Sequence, residues 1–301
     1  KDLGNGTSVS ATYSYLDDGG FTPQLDEMRG GGNSNYQKKN NFGLGIKTEL
    51  ENGLKVQGTF NYVDSEIRRP LTNPAFGGGG TGLFAAVLFT PRSIDLMGLP
   101  YQSPIDGSNV YYRRGSNIEN PRWNLNNKTD MEQLQRFFGN IQLTYDLTDW
   151  LTAQYRFSID NYTQNNDRTV NRGSGSGDND GYYNTSTRTS VWKDHVANLL
   201  FNKRFNSDFS LNGLIGFNYR ETTSSRTSVN SVNQLVYGLF AHDKFVAQTA
   251  STGISDVYNA GIYATASLGY RDFIYASFQG RNDWTSTLEK ENRQIFYPSG
   301  S

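Results

Sequence analysis

Residues 137–160 read as two arms of unbroken two-residue alternation. Phe137, Gly139, Ile141, Leu143, Tyr145 and Leu147 interleave with Phe138, Asn140, Gln142, Thr144 and Asp146. After a polar break at Thr148 and Asp149, Leu151, Ala153, Tyr155, Phe157 and Ile159 interleave with Thr152, Gln154, Arg156, Ser158 and Asp160. Successive side chains of a strand point to opposite faces, so this is a hairpin with one apolar and one polar face. Each arm has about 9–11 residues, the length of a tilted strand crossing a bilayer. The apolar face must meet either a protein core or lipid.

The same pattern recurs along the chain. Val9, Ala11, Tyr13 and Tyr15 form a first strand, and Phe42, Leu44, Ile46 and Leu50 a second. Glu51-Asn52-Gly53 is a tight turn, because Asn-Gly accepts the positive φ angles that such turns require. Leu54, Val56, Phe60 and Tyr62 return from it. A long irregular segment is expected over about 64–133. Beyond the central hairpin come a polar loop at 173–181, a strand through Ala197, Leu199 and Phe201, and a turn at Asn206-Ser207-Asp208. The return strand runs from Phe209 to Tyr219. A polar loop over 221–233 and a weaker strand near 235–240 are expected next. The last pair runs from Tyr258 to Leu268 and from Ile274 to Phe278, joined at Tyr270-Arg271-Asp272, and Phe296 and Tyr297 begin a further strand. Tight turns thus alternate with long loops, which is the pattern of an outer-membrane barrel. A soluble sandwich also alternates, with shorter strands and more even loops.

Composition matters here for what it permits. Apolar residues are only 35% and mean hydropathy is −0.65, and the longest apolar run, 83–89, is too short to span a bilayer as a helix. A barrel needs no such run, because every second strand residue can be polar. Abundant Tyr (19), Phe (18) and Gly (32) suit strands and loops better than helices. A net charge of −1 gives no case for nucleic acid or anionic membrane surfaces as partners. The absence of cysteine excludes a disulfide scaffold and thiolate chemistry.

No enzyme constellation emerges. His195 and His242 are the only histidines and lack metal-ligand spacing. The Gly173-Ser-Gly-Ser-Gly run lacks the following helix that a phosphate cradle needs. Asp178 and Asp180 imitate the start of a calcium loop without its Glu at the twelfth position, a weak metal candidate only. Arg281 and Asp283 are spaced to pair on their strand's polar face. No cofactor is implied. The remaining candidates are aromatics outside the expected strands, beside arginines and amides: Tyr111, Tyr112, Arg113, Arg114, Trp123, Asn126, Tyr182 and Tyr183. Such faces stack on sugars or peptide side chains, and the same residues also serve to pack long loops together.

Several segments resemble the SusC/RagA-like branch of TonB-dependent outer-membrane transporters. The longest is the stretch from Tyr270 through Arg281-Asn-Asp283 and Asn292-Arg293 to Phe296-Tyr297-Pro298-Ser299, similar to the family's strand ending in Arg-x-Asp, Ser-rich loop and aromatic-Pro-Ser. Asn120-Pro121-Arg122-Trp123 resembles its Asn-Pro-x-Trp, Thr90 to Leu96 its Thr-Pro-x-Ser-Ile-Asp-Leu, and Tyr15 to Gly20 a family hairpin tip. Gly300 departs from it, standing where the family carries an apolar side chain. The resemblance implies an all-β fold, a transmembrane antiparallel β-barrel of 22 strands with an N-terminal plug. This chain would supply about half of that barrel over 1–301, without plug or C-terminal strands, as the middle of a longer protein whose strands cannot close a barrel alone. It also implies import of glycans or oligopeptides across the outer membrane of a Gram-negative, Bacteroidetes-like cell. Energy would come from TonB through a segment not in this chain. A SusD-like surface lipoprotein would be the partner, and transporter–lipoprotein pairs could form a homodimer. The alternative from pattern alone is a non-transporting surface β-protein, an adhesin or ligand-binding module.

Overall fold

The computed structural model describes residues 6–20, 22, 35–71, 83–110, 119–175 and 180–301. Among them, ten strands form one antiparallel sheet in chain order, each paired with its sequence neighbours. They are β1 (Ser8–Asp18), β2 (Tyr36–Glu49), β3 (Lys55–Arg69), β4 (Lys128–Thr148), β5 (Leu151–Val170), β6 (Tyr182–Arg204), β7 (Phe209–Gln234), β8 (Phe245–Tyr270), β9 (Ile274–Thr285) and β10 (Gln294–Gly300). Two short helices, α1 (Leu83–Phe89) and α2 (Pro121–Asn127), lie between β3 and β4. β1 and β10 are the free edges, so the sheet is an open wall.

The register puts each alternation on a consistent face. Val56, Leu143, Tyr155, Ala197, Phe217 and Ile262 form one row across β3 to β8. Thr59, Asn140, Ser158, Asp194, Arg220 and Asn259 form a row on the opposite face. The polar side is tied internally. Arg136 pairs with Asp160, Arg220 with Asp194 at 3.2 Å, and Arg281 with Asp283 at 2.7 Å. Tyr263 donates to Asn198 at 2.7 Å. The burial is inverted relative to a soluble domain: Asp194 is 3% exposed, whereas Ile215 is 54% and Phe278 65% exposed. No second sheet covers the apolar side among the described residues. A continuous exposed apolar face of this extent is far larger than a soluble monomer tolerates, and it is what a bilayer covers. No described helix is long and apolar enough to cross a membrane.

Several strands outrun the sequence expectation. The polar stretch at 221–233 belongs to β7 rather than to a loop, and β6 begins at Tyr182 rather than near Ala197. The segment expected to be irregular over 64–133 is narrower, since β3 continues to Arg69 and β4 starts at Lys128. The strand expected near 235–240 is instead a turn, closed by Leu239 N–H on the Val236 carbonyl at 3.3 Å. Extended polar segments carry no apolar alternation when both faces meet water, yet their Thr and Val side chains still favour strand backbone. β7 and β8 have 26 residues each, which at ~3.4 Å per residue extend about 88 Å. A bilayer crossing uses about 9–11 of them. More than half of each strand therefore stands clear of the hydrocarbon.

The short turns lie together at the other end. Gly53 has φ +82°, and the Asn52 side chain accepts from Leu54 N–H. Arg271 and Asp272 both have positive φ, the geometry of a primed two-residue hairpin turn. Their charges tie this turn to the β6–β7 turn: Arg271 bonds Asp208 at 3.0 Å, and Arg204 bonds Asp272 at 2.9 Å.

Candidate functional site: a capped rim above the apolar band

The long-loop end of the wall is closed by a cap built on α2. Asn120 is its N-cap, accepting from Arg122 N–H at 2.9 Å, and Pro121 takes the first helical turn, where its missing N–H costs nothing. Arg122 donates to the carbonyls of Leu96, Met97 and Leu99 at 3.0–3.2 Å, and its guanidinium lies 4.5 Å from the Tyr101 ring. One arginine thus holds the stretch 96–101 against α2. Trp123 is fully buried and donates from Nε1 to the Gly107 carbonyl at 2.8 Å.

Beneath Trp123 lies a buried ion pair. Glu119 is 1% exposed and sits 3.0 Å from Lys128 Nζ, which is 6% exposed. The carboxylate also accepts from Asn124 at 2.9 Å, Ser174 at 2.8 Å and Gly175 N–H at 3.1 Å. A buried charge is tolerable only when its lone pairs are met this fully. We expect Glu119→Gln alone, and Lys128→Met alone, each to cost the cap about 3–5 kcal/mol, because each strands a buried group. The double variant should cost clearly less than the sum of the singles. Protease sensitivity of the 94–110 segment in the folded protein measures it, and strictly additive losses would show that the pair is not coupled.

Amide side chains bind the cap to the neighbouring loops. Asn127 Oδ1 accepts from Asn171 at 3.0 Å and from the Tyr237 hydroxyl. Asn171 Oδ1 accepts from Gln234 at 3.1 Å and Gly238 N–H at 2.9 Å. Between these loops and the strand tops lies a cleft of about 1020 Å³, lined in part by Arg68, Tyr101, Gln102, Asn126, Asp167 and Tyr183. Arg68, Met131 and Asp167 stand in one row, two-residue steps from Tyr62, Phe137 and Asn161, so the cleft opens on the same face as the apolar band. Burial pushes the Asp167 carboxyl above its usual range, and His242 partly offsets this. Tyr183 stacks on His242 at 4.5 Å between ring centroids. The His242 ring nitrogens are taken by Thr185 at 2.8 Å and Ser231 at 2.7 Å.

The expected site residues are therefore dispersed. Trp123 is enclosed and presents no surface to a solute in this arrangement; its ring packs the cap, with its Nε1 on the Gly107 carbonyl and the Lys128 Nζ 5.8 Å over its face. Tyr182 and Tyr183 lie at the start of β6 rather than in a loop, and period two sends them to opposite faces. Tyr182 bonds Asn230 at 2.9 Å on the polar face, whereas Tyr183 lines the cleft. Asn126 also lines the cleft, donating to the Arg122 carbonyl at 2.7 Å. Tyr111, Tyr112, Arg113, Arg114 and Asp178 lie outside the described residues. Asp180 is exposed, and its backbone carbonyl accepts from Gln234 N–H at 2.7 Å. No group of three potential metal ligands occurs among the described residues. Sequence reasoning missed Glu119 and Lys128. Their signal was available, an acid directly before and a lysine directly after an Asn-Pro-x-Trp helix.

An uncovered apolar band, strands that outrun the bilayer and a capped rim define one section of the wall of a transmembrane β-barrel. No family model and no curated protein sequence matches the chain. Solved structures do. The RagAB peptide transporter superposes at a TM-score of 0.74 with 16% identity, over 98% of this chain and 32% of that one. The RagAB peptide importer in its closed-closed state gives 0.75, with the same identity and coverage. The siderophore receptor PiuA from Acinetobacter baumannii gives 0.51 at 12% identity, over 100% of this chain and 42% of that one. The chain thus shares the fold of a stretch of their barrel wall and spans about a third of the length of the RagAB chain it matches.

Proposed function

We propose that this chain is part of the barrel of a TonB-energised outer-membrane importer of the SusC/RagA kind, taking up oligopeptides or glycans with a SusD-like lipoprotein. The observation that carries the reading is the wall itself, lipid-ready on one face and lined by ion pairs and amides on the other, with its fold matched over nearly the whole chain by RagAB. A polar, water-lined interior suits passage of a hydrophilic solute. The capped rim would be the extracellular end. There α1 and the loop after it expose Phe84 (71%), Leu88 (62%), Met97 (67%) and Ile105 (94%), a patch suited to an apolar partner surface such as the lipoprotein lid. The competing reading, a surface adhesin, has the same wall and no transport.

Deletion of the gene in its native host separates them. Import predicts lost growth on peptides or on a glycan as sole nutrient, restored by the intact gene, together with co-purification of a lipoprotein from detergent-solubilised membranes. Unchanged growth on every such nutrient, with lost binding to a surface or ligand, supports the adhesin instead.

A further inference from the structure

Above the apolar band, the polar face of β5 to β8 carries a pair of like charges in direct opposition. Arg188 on β6 lies across from Arg226 on β7. The same row holds Gln164 on β5 and Gly253 on β8. The flanking rows are Asn166, Ser186, Ser228 and Ser251 on one side, and Tyr162, Ser190, Ser224 and Ser255 on the other. Both arginines are exposed and rise from a floor of small hydroxyls. A Cβ placed on Gly253 would meet nothing within 4 Å, so the floor is open on that side as well.

The acids around it on this face are already committed, Asp130 and Glu132 to Arg69, Asp160 to Arg136 and Asp194 to Arg220. Neither Arg188 nor Arg226 forms an ion pair among the described residues. Like charges directly opposite one another destabilise a strand pair, so nothing in the folding of the wall favours this arrangement. An oxyanion held between two guanidinium forks converts the repulsion into charge-assisted, bidentate hydrogen bonds, and the surrounding serine hydroxyls supply further donors. Charge is uncompensated in this upper row and compensated at Arg220 and Arg136 nearer the band.

We propose that Arg188 and Arg226 form an anion-reading station on the solute path, selecting solutes that carry carboxylates. This rests on the import reading, which makes the polar face the one that solute meets. The carboxylates could belong to an acidic oligopeptide or to a uronic-acid oligosaccharide, and the two share the chemistry.

The test uses the full-length protein in detergent with two labelled probes, penta-glutamate and tri-galacturonate. Each is paired with a neutral twin, penta-glutamine or the methyl-esterified sugar. Wild type should bind at least one acidic probe at least tenfold more tightly than its twin. R188Q/R226Q should abolish that preference without changing binding of the twin, and R188K/R226K, which keeps charge but not the fork, should fall between. The probe preferred identifies the solute chemistry. Equal binding of acidic and neutral probes by wild type, or a preference that survives in R188Q/R226Q, overturns the proposal. Neither result touches the import reading, which the growth experiment decides separately.

Discussion

Leu143→Arg should destabilise the folded barrel by about 2–4 kcal/mol, whereas Thr144→Arg should cost far less. The two positions are adjacent on β4 and differ only in face. Leu143 lies between Val56 and Tyr155 in the apolar row, where an arginine head would enter hydrocarbon. Thr144 lies between Lys55 and Gln154 on the polar face, where the same head is hydrated. Denaturant titration of the full-length protein refolded into lipid vesicles reads the difference. Equal losses at the two positions would mean that the apolar face does not meet lipid.

Trp123→Ala should cost the cap about 3–5 kcal/mol. The substitution leaves a cavity the size of an indole and deprives the Gly107 carbonyl of the Nε1–H donor. It also uncovers the Glu119–Lys128 pair, whose lysine lies 5.8 Å from the indole ring. The wall pairs through its own ladder and should survive. The expected result is normal heat-modifiable mobility on gels with fast proteolysis inside 94–110. Because the side chain is enclosed, Trp123→Phe should restore most of the protection, although phenylalanine lacks the N–H. A Trp123→Phe protein that is fully protected yet loses solute binding would contradict the packing role.

The facing of the crossing segments was legible in the sequence because a strand's side-chain period is fixed at two and lipid imposes one polarity on one face. Asn52-Gly53 and Arg271-Asp272 were legible as turns because positive φ is a local demand. Strand ends above the membrane were not legible, because with water on both faces neither face needs apolar residues. Residues 221–233 are polar apart from Val229 and Val232 and are still strand, held by ladder bonds to β6 and β8. The setting of Trp123 was not legible for a different reason. Asn120-Pro121 announces a helix start locally, but whether Trp123 is exposed depends on what the Gly107 carbonyl and Lys128 do, and those positions are set by the chain path over 94–110. Tyr182 and Tyr183 are alike in sequence and are separated only by the pleat.

What the sequence determined alone is the polarity of each strand face and the tight turns that set neighbouring strands in order, since both follow from backbone geometry within a few residues. What only the tertiary structure decided is which distant residues meet: Glu119 with Lys128 and Ser174, Asn127 with Tyr237, and Arg188 with Arg226. Those meetings depend on pairing register accumulated over long strands. A shift of one residue would turn every side chain to the other face, and only the assembled sheet holds that register.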